Sequence, residues 1–179
     1  MERVEMKVLV AYRSKYGFTA RCAGMLRVRI RGKVSLVDLK AEGFPDIAPF
    51  GIVLVGGSIY GGTIQREVLA FCSRWRGELL KRHVGLFFSC LYQGEHAQAQ
   101  LEAVFPGWLL AHAFGRYHLG GELKIERLGL FDRFLVGHLI GQREDRSIVN
   151  EESIESLCET VNAIIDHKGI RDRADRIRL

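Results

Sequence analysis

The sequence predicts an α/β protein: a doubly wound, five-stranded parallel sheet with helices on both faces. Three observations predict it. Apolar runs of strand length, such as Val8-Leu9-Val10-Ala11 and Ile52-Val53-Leu54-Val55, are continuous rather than alternating, as in strands buried on both faces. Between these runs lie longer stretches whose apolar residues recur at helical spacing, so strand and helix alternate along the chain. The chain has 179 residues, 47% hydrophobic and 26% charged, enough to bury one core without disulfide or metal staples.

Taken in order, Lys7 to Ala11 is the first strand. Phe18, Cys22, Met25, Leu26 and Ile30 then mark the first helix, with arginines on its other face. Val34 to Leu39 is the second strand, and Gly43 to Pro49, with two of the three prolines, is a loop or a brief helical turn. Ile52 to Gly56 is the third strand. Val68, Leu69, Cys72, Trp75 and Leu79 predict one strong second helix. Val84 to Cys90 is the fourth strand, and His96 to Phe105 is a helix stopped by Pro106-Gly107. Ala113 to Leu119 is read as the fifth strand. The last helix opens at Asn150 as N-cap, with Glu151 and Glu152 at its positive end and Ile154, Leu157, Val161, Ile164 and Ile165 as its stripe. Gly120 to Gln142 breaks the alternation and is expected to be an insertion after strand five, in a single domain covering residues 1–179. No internal repeat, low-complexity segment or linker divides the chain.

Charge and composition exclude several classes. Cys22, Cys72, Cys90 and Cys158 are far apart and form no C-x-x-C, so they are expected to be reduced thiols. Glu2, Arg3, Glu5 and Lys7 stand where a leader would be apolar, and the expected location is cytoplasmic. No apolar run approaches the roughly 18 residues of a spanning helix. The six histidines show no ligand spacing, so no metal site is expected. The formal charge is +5, and from Met6 to Val37 there are eight Lys or Arg and no acid. That basic quarter suits an anionic ligand, whereas the basic tail after His167 suits an anionic surface or is simply a solvated face. Arginines and aromatics are not interleaved for base stacking, so no nucleic-acid partner is expected.

In an open α/β sheet, ligands bind beyond the carboxyl ends of the strands. After strand one, Ser14-Lys15-Tyr16-Gly17-Phe18-Thr19 opens straight into a helix. Its backbone N–H groups and two hydroxyls converge as in a phosphate cradle, aided by the helix dipole and by nearby Lys15 and Arg21. Ser14 and Thr19 would equally serve as ordinary helix caps, and the loop alone does not separate the two readings. After strand three, Ser58-Ile59-Tyr60-Gly61-Gly62 lets backbone approach a flat ligand, with Tyr60 able to stack on it. This loop lacks the lysine of a Walker A loop, and Tyr60 stands where a nucleophile elbow needs glycine. After strand four comes Ser89-Cys90-Leu91-Tyr92-Gln93-Gly94, again small, aromatic and polar. Taken singly, each of these two loops also reads as an ordinary glycine-rich connection, and Cys90 as a buried thiol. No G-x-G-x-x-G follows strand one, which disfavours NAD.

Together the three loops resemble those of the flavodoxin-like FMN-binding domains. The resemblance implies a sheet order of 2-1-3-4-5, with FMN as cofactor. It places the phosphate on Ser14, Lys15, Tyr16, Gly17, Phe18 and Thr19. The isoalloxazine ring would be flanked by Ser58, Ile59, Tyr60, Gly61 and Gly62 on one side and by Ser89, Cys90, Leu91, Tyr92, Gln93 and Gly94 on the other.

Within that superfamily, S-I-Y-G-G and the segment Gly129 to Leu135 look similar to the menaquinone-dependent protoporphyrinogen dehydrogenase branch. That likeness implies an FMN-dependent oxidoreductase with a small apolar or porphyrin-like donor and a quinone acceptor. It singles out no catalytic side chain. The alternative is a flavodoxin-type electron carrier without its own substrate. Such carriers are typically acidic, whereas this chain has a pI near 9.2. For Leu128 to Gly141, if helical, Leu128, Phe131, Leu135 and Leu139 share one stripe. That stripe is expected to pack on the sheet edge or in a homodimer, or to form a lid beside the flavin that makes peripheral membrane contact.

Overall fold

Five parallel strands carry the fold: β1 (Val8–Arg13), β2 (Val34–Asp38), β3 (Ile52–Ser58), β4 (His83–Ser89) and β5 (Gly115–His118). In a computed structural model of the chain, the described residues are 6–135, 137–138 and 144–177, and the described side chains exclude 131, 132, 135 and 168–177. The sheet order is β2-β1-β3-β4-β5, as the resemblance implies. Successive side chains point to opposite faces. Leu9, Val53, Val55 and Phe88 therefore enter one core, and Val8, Val10, Ile52, Leu54 and Phe87 the other. The first core is covered by α2 (Arg66–Arg74), α3 (Arg76–Leu79), α4 (Gly94–Val104) and α5 (Gly107–His112). The second is covered by α1 (Phe18–Arg29) and α7 (Glu151–Ile177).

The N-cap of α7 is as expected: Asn150 Oδ1 accepts a hydrogen bond from Ser153 N at 3.1 Å. Ile154, Leu157 and Val161 are fully buried beneath it. All four cysteines are buried free thiols. Burial pushes the thiols of Cys22 and Cys72 up to about 12, and those of Cys90 and Cys158 up to about 11.

One helical expectation needs correction. The single helix expected through Leu79 is two, because the chain turns at Trp75 (φ −101°, ψ 15°) between α2 and α3. Pro106 stands where the helix expected from His96 ends, as the sequence predicts. It stops α4 and then N-caps α5, its carbonyl accepting from Leu109 N and Leu110 N. Proline suits a helix start, where no intrahelical N–H is required. The Gly43–Pro49 stretch is a loop, with Ile47 turned fully into the core.

After β5 the chain leaves the parallel sheet. β6 (Gly120–Leu123) pairs antiparallel with β7 (Arg146–Val149), Gly120 opposite Val149 and Leu123 opposite Arg146. Between them lie a 3-10 turn at Ile125–Arg127 and the six-residue α6 (Leu130–Leu135). The return strand thus falls beyond Gln142, where the sequence reading ended the insertion. Of the stripe expected over 128–141, Leu128 is buried, while the side chains of Phe131 and Leu135, and Leu139 entirely, lie outside the described set. Among the described residues, no helix is long and apolar enough to cross a membrane.

Candidate functional site

β1, β3 and β4 end at one edge of the sheet, and a serine stands at or just past each end. Ser14, Ser58 and Ser89 are all buried there. Thr19, 1% exposed, lies between the last two, its Oγ1 2.9 Å from Ser58 Oγ and 2.8 Å from Ser89 Oγ. Ser58 Oγ also accepts from Lys15 N at 3.4 Å. Gln65 fixes the end of β3, its Oε1 accepting from Ser58 N at 3.0 Å and its Nε2 donating to Ser58 O at 2.7 Å.

The loop after β1 is not built as a helix cap. Ser14 Oγ accepts from Gly17 N at 3.0 Å and closes the turn. Gly17, at φ 95°, is the N-cap of α1, a conformation that favours glycine. No side chain caps α1, and its first turn holds no acid. The Thr19 hydroxyl faces the two serines rather than the helix end. The amino end of α1 therefore presents its dipole and backbone donors without a side-chain cap.

Seven of the expected residues line one narrow cleft: Tyr16, Phe18, Ser58, Tyr60, Ser89, Cys90 and Leu91, joined by Gly121 and Glu122. The Tyr16 and Tyr60 rings meet edge to face at 5.4 Å, and Lys15 Nζ lies 5.4 and 5.2 Å from their centroids. Leu123 and Leu128 pack with Tyr16, Tyr60 and Leu91 as a small apolar cluster beside the cleft. Cys90 is a buried thiol, its Sγ 3.5 Å from Tyr92 O and 3.6 Å from His118 Nε2. His118 stacks on Phe88 at 5.0 Å, and burial lowers its pKa below the ordinary histidine value.

Of the other expected residues, Ile59, Gly61, Gly62, Tyr92, Gln93 and Gly94 lie outside this lining. The Ile59 side chain turns into the core, while its N–H donates to Ser89 O at 2.7 Å. Gly61 and Gly62 form an exposed tight turn closed by Tyr60 and Thr63. Tyr92 and Gln93 are exposed; Gln93 N-caps α4, and Gly94 is its first residue. Gly62 and Tyr92 face a second, neighbouring cavity along α4, with His96, Ala99, Gln100 and Ala103.

β6 and β7 also contribute to the site, beyond the three loops legible in the sequence. A Cβ on Gly121 would lie 2.1 Å from Cys90 O, so only glycine lets β6 lie against the loop after β4. Tyr60 Oη donates to Glu122 O at 3.2 Å. The buried Glu122 carboxylate accepts from Arg21 at 3.2 Å and from Ser147 Oγ at 3.0 Å. The Gly120-Gly121 pair directly after strand five was the available signal, since paired glycines mark close backbone approach.

A parallel sheet in this order, with three serine-bearing loops meeting at its carboxyl edge, defines a doubly wound domain, the class whose ligands bind at the switch point. Residues 9–148 match the family model described as a flavodoxin domain, and the chain belongs to that family. It is a flavodoxin-like FMN-binding domain. Among solved structures it is similar to the rubredoxin:oxygen oxidoreductase of Desulfovibrio gigas, at 19% identity and TM-score 0.58, covering 90% of this chain and 36% of that one. The chain thus spans little more than a third of that oxidoreductase. It is also similar to the WrbA-like flavodoxin of Agrobacterium tumefaciens, at 13% identity and TM-score 0.55, covering 90% of this chain and 98% of that one. The flavodoxin of Streptococcus pneumoniae gives 16% identity and TM-score 0.54 over 88% of this chain and 98% of its own. No curated protein matches the sequence.

The residues present fit FMN. The amino end of α1 is free of side-chain caps. At Gly61 and Gly62 an added Cβ would meet nothing within 4 Å, so this turn borders open space.

Proposed function

We propose that the chain is an FMN-dependent oxidoreductase that takes electrons from an apolar, porphyrin-like donor and passes them to a quinone. The apolar wall of Leu123 and Leu128 against Tyr16, Tyr60 and Leu91 carries this reading. A carrier needs only an exposed ring edge, whereas a wall built by a segment outside the parallel sheet suits a bound apolar substrate. Bound FMN supplies the redox chemistry.

The protein's own residues bind, orient and exclude water. The Ser14–Thr19 loop and the amino end of α1 hold the phosphate. Thr19 acts by tying Ser58 to Ser89, so that the loops after β1, β3 and β4 keep a fixed spacing. Gly61 and Gly62 flank one side of the ring and Tyr92 to Gly94 the other. Leu130 and Phe134, one turn apart on α6 and 88% and 61% exposed, extend the apolar surface outward. Their exposure on a chain of net charge +5 supports peripheral contact with an anionic membrane surface. The net charge of +5 is also opposite to that of a carrier that docks on basic partners.

The test is the visible spectrum of the purified protein, followed by anaerobic mixing with protoporphyrinogen IX and a menaquinone analogue. A flavin spectrum and turnover by the protein alone are expected, with Leu128→Ser lowering turnover while FMN stays bound. Full flavin content without turnover unless a reductase is added would make the protein a carrier. A colourless protein that takes up no FMN would end the reading.

A further inference from the structure

Glu122 is an acid in a place built for an anion. Its side chain is 5% exposed and lines the same cleft as Phe18, Ser58 and Ser89. A phosphate at the amino end of α1 gains from the helix dipole but is repelled by a nearby carboxylate. Arg21 reaches Glu122 from the same end of α1. Its backbone N–H donates to Gly17 O at 3.0 Å, which places it on the first turn of α1, and its guanidinium lies 5.1 Å from the Phe18 ring. Both terminal nitrogens donate to Glu122 Oε1 at 3.2 Å, and one also donates to Ser147 Oγ at 3.3 Å. The Arg21 side chain remains 50% exposed, so its fork is only partly used. A guanidinium carries five donors in a fixed plane and can hold two anions at once.

We propose that Glu122, with Ser147, is a positioning residue that holds Arg21 beside the phosphate loop, so that Arg21 bridges Glu122 and the FMN phosphate. The β6–β7 hairpin thereby becomes a clamp that selects FMN over riboflavin. The inference rests on the phosphate lying on the Ser14–Thr19 loop, as proposed above. The hairpin is already anchored at this edge by Cys90 N donating to Gly120 O at 3.0 Å and by Tyr60 Oη on Glu122 O. Without the phosphate, the Arg21–Glu122 pair is half in water and fastens the hairpin weakly. With it, one guanidinium joins hairpin, helix and cofactor, and clamp closure becomes part of phosphate recognition.

Flavin fluorescence quenching on the apoprotein tests this, with FMN and riboflavin as separate probes. Arg21→Gln is expected to weaken FMN by about tenfold to a hundredfold, the span of one hydrogen bond to a charged group, with riboflavin changed less than about twofold. Glu122→Gln is expected to weaken FMN by severalfold and to speed its release. The double variant is expected to lose no more than Arg21→Gln alone, because the two residues act through one guanidinium. Ser147→Ala, on the exposed side of the hairpin, gives a smaller loss of the same sign, and retained riboflavin binding shows that each variant is folded. Tighter FMN binding in Glu122→Gln, additive losses, or an unchanged FMN-to-riboflavin ratio in Arg21→Gln would each overturn the clamp. If the parent itself binds riboflavin as tightly as FMN, the phosphate placement fails instead, which separates the two failures.

Discussion

The carboxyl edge of the parallel sheet and the β6–β7 hairpin meet at the same cleft, yet they are built in opposite ways. At the sheet edge, Ser58 and Ser89 end seven-residue strands, β3 buried throughout and β4 in all but its first residue. The hairpin has four-residue strands, β6 buried throughout but β7 exposed at Arg146, Ser147 and Ile148. Contacts at a few points hold it: Gly120 and Gly121 on Cys90, Tyr60 on the Glu122 carbonyl, and Arg21 with Ser147 on the Glu122 carboxylate. The rigid half fixes where the ligand goes, and the lightly fastened half governs how it is enclosed. Function commonly draws its moving parts from such low-stability elements.

The sheet half is most sensitive at Phe87, fully buried on β4, whose ring atoms would sit 2.4 Å from a Cβ on Gly56. Phe87→Ala is expected to cost about 3–5 kcal/mol by urea unfolding, with fold and flavin site lost in one transition. Loss of FMN without loss of stability would mean that the sheet does not carry the site.

Alkaline pH comes next. The four thiols lie in the two cores and none lies in the hairpin. Burial raises their pKa from an ordinary 9.0 to about 11 or 12, so above pH 9 the unfolded chain gives up protons that the folded chain keeps. Their contribution is complete below pH 9 and is lost as pH rises from 9 toward 12. Urea midpoints measured from pH 8 to 11 should hold level and then fall; a level midpoint at pH 11 contradicts this.

Gly121→Val should move global stability least and flavin retention most. The clash is with a backbone carbonyl, and overpacking of this kind costs about 1–3 kcal/mol, concentrated in the hairpin. Faster FMN release and protease cutting within 120–149, with a smaller shift in the main unfolding transition than Phe87→Ala gives, is the expected pattern. An equal shift in both variants would mean that the two halves unfold as one.

Legibility in the sequence follows the same division. The strands of the sheet could be read because burial on both faces leaves continuous apolar runs, and the three loops because glycine and serine follow each run directly. Other features leave no such mark. The break at Trp75 falls where the apolar period carries on unbroken into Leu79. α5 has six residues, under two turns, too few for a period to declare itself. In β7 the side chains of Arg146, Ser147 and Ile148 are all exposed, so no inward face shows. Arg21 and Glu122 are separated by 101 positions, and an ion pair between distant residues writes no local pattern.

Asn150 N donates to Leu119 O at 3.1 Å, so the chain departs after β5 and returns to the cap of α7 at adjoining points. The ends of everything between are pinned independently of what the segment contains. The entropy of closing such a loop grows only slowly with its length. Residues 120–149 thus form a cassette whose length could change at small entropic cost while the five-stranded sheet and α7 keep their register.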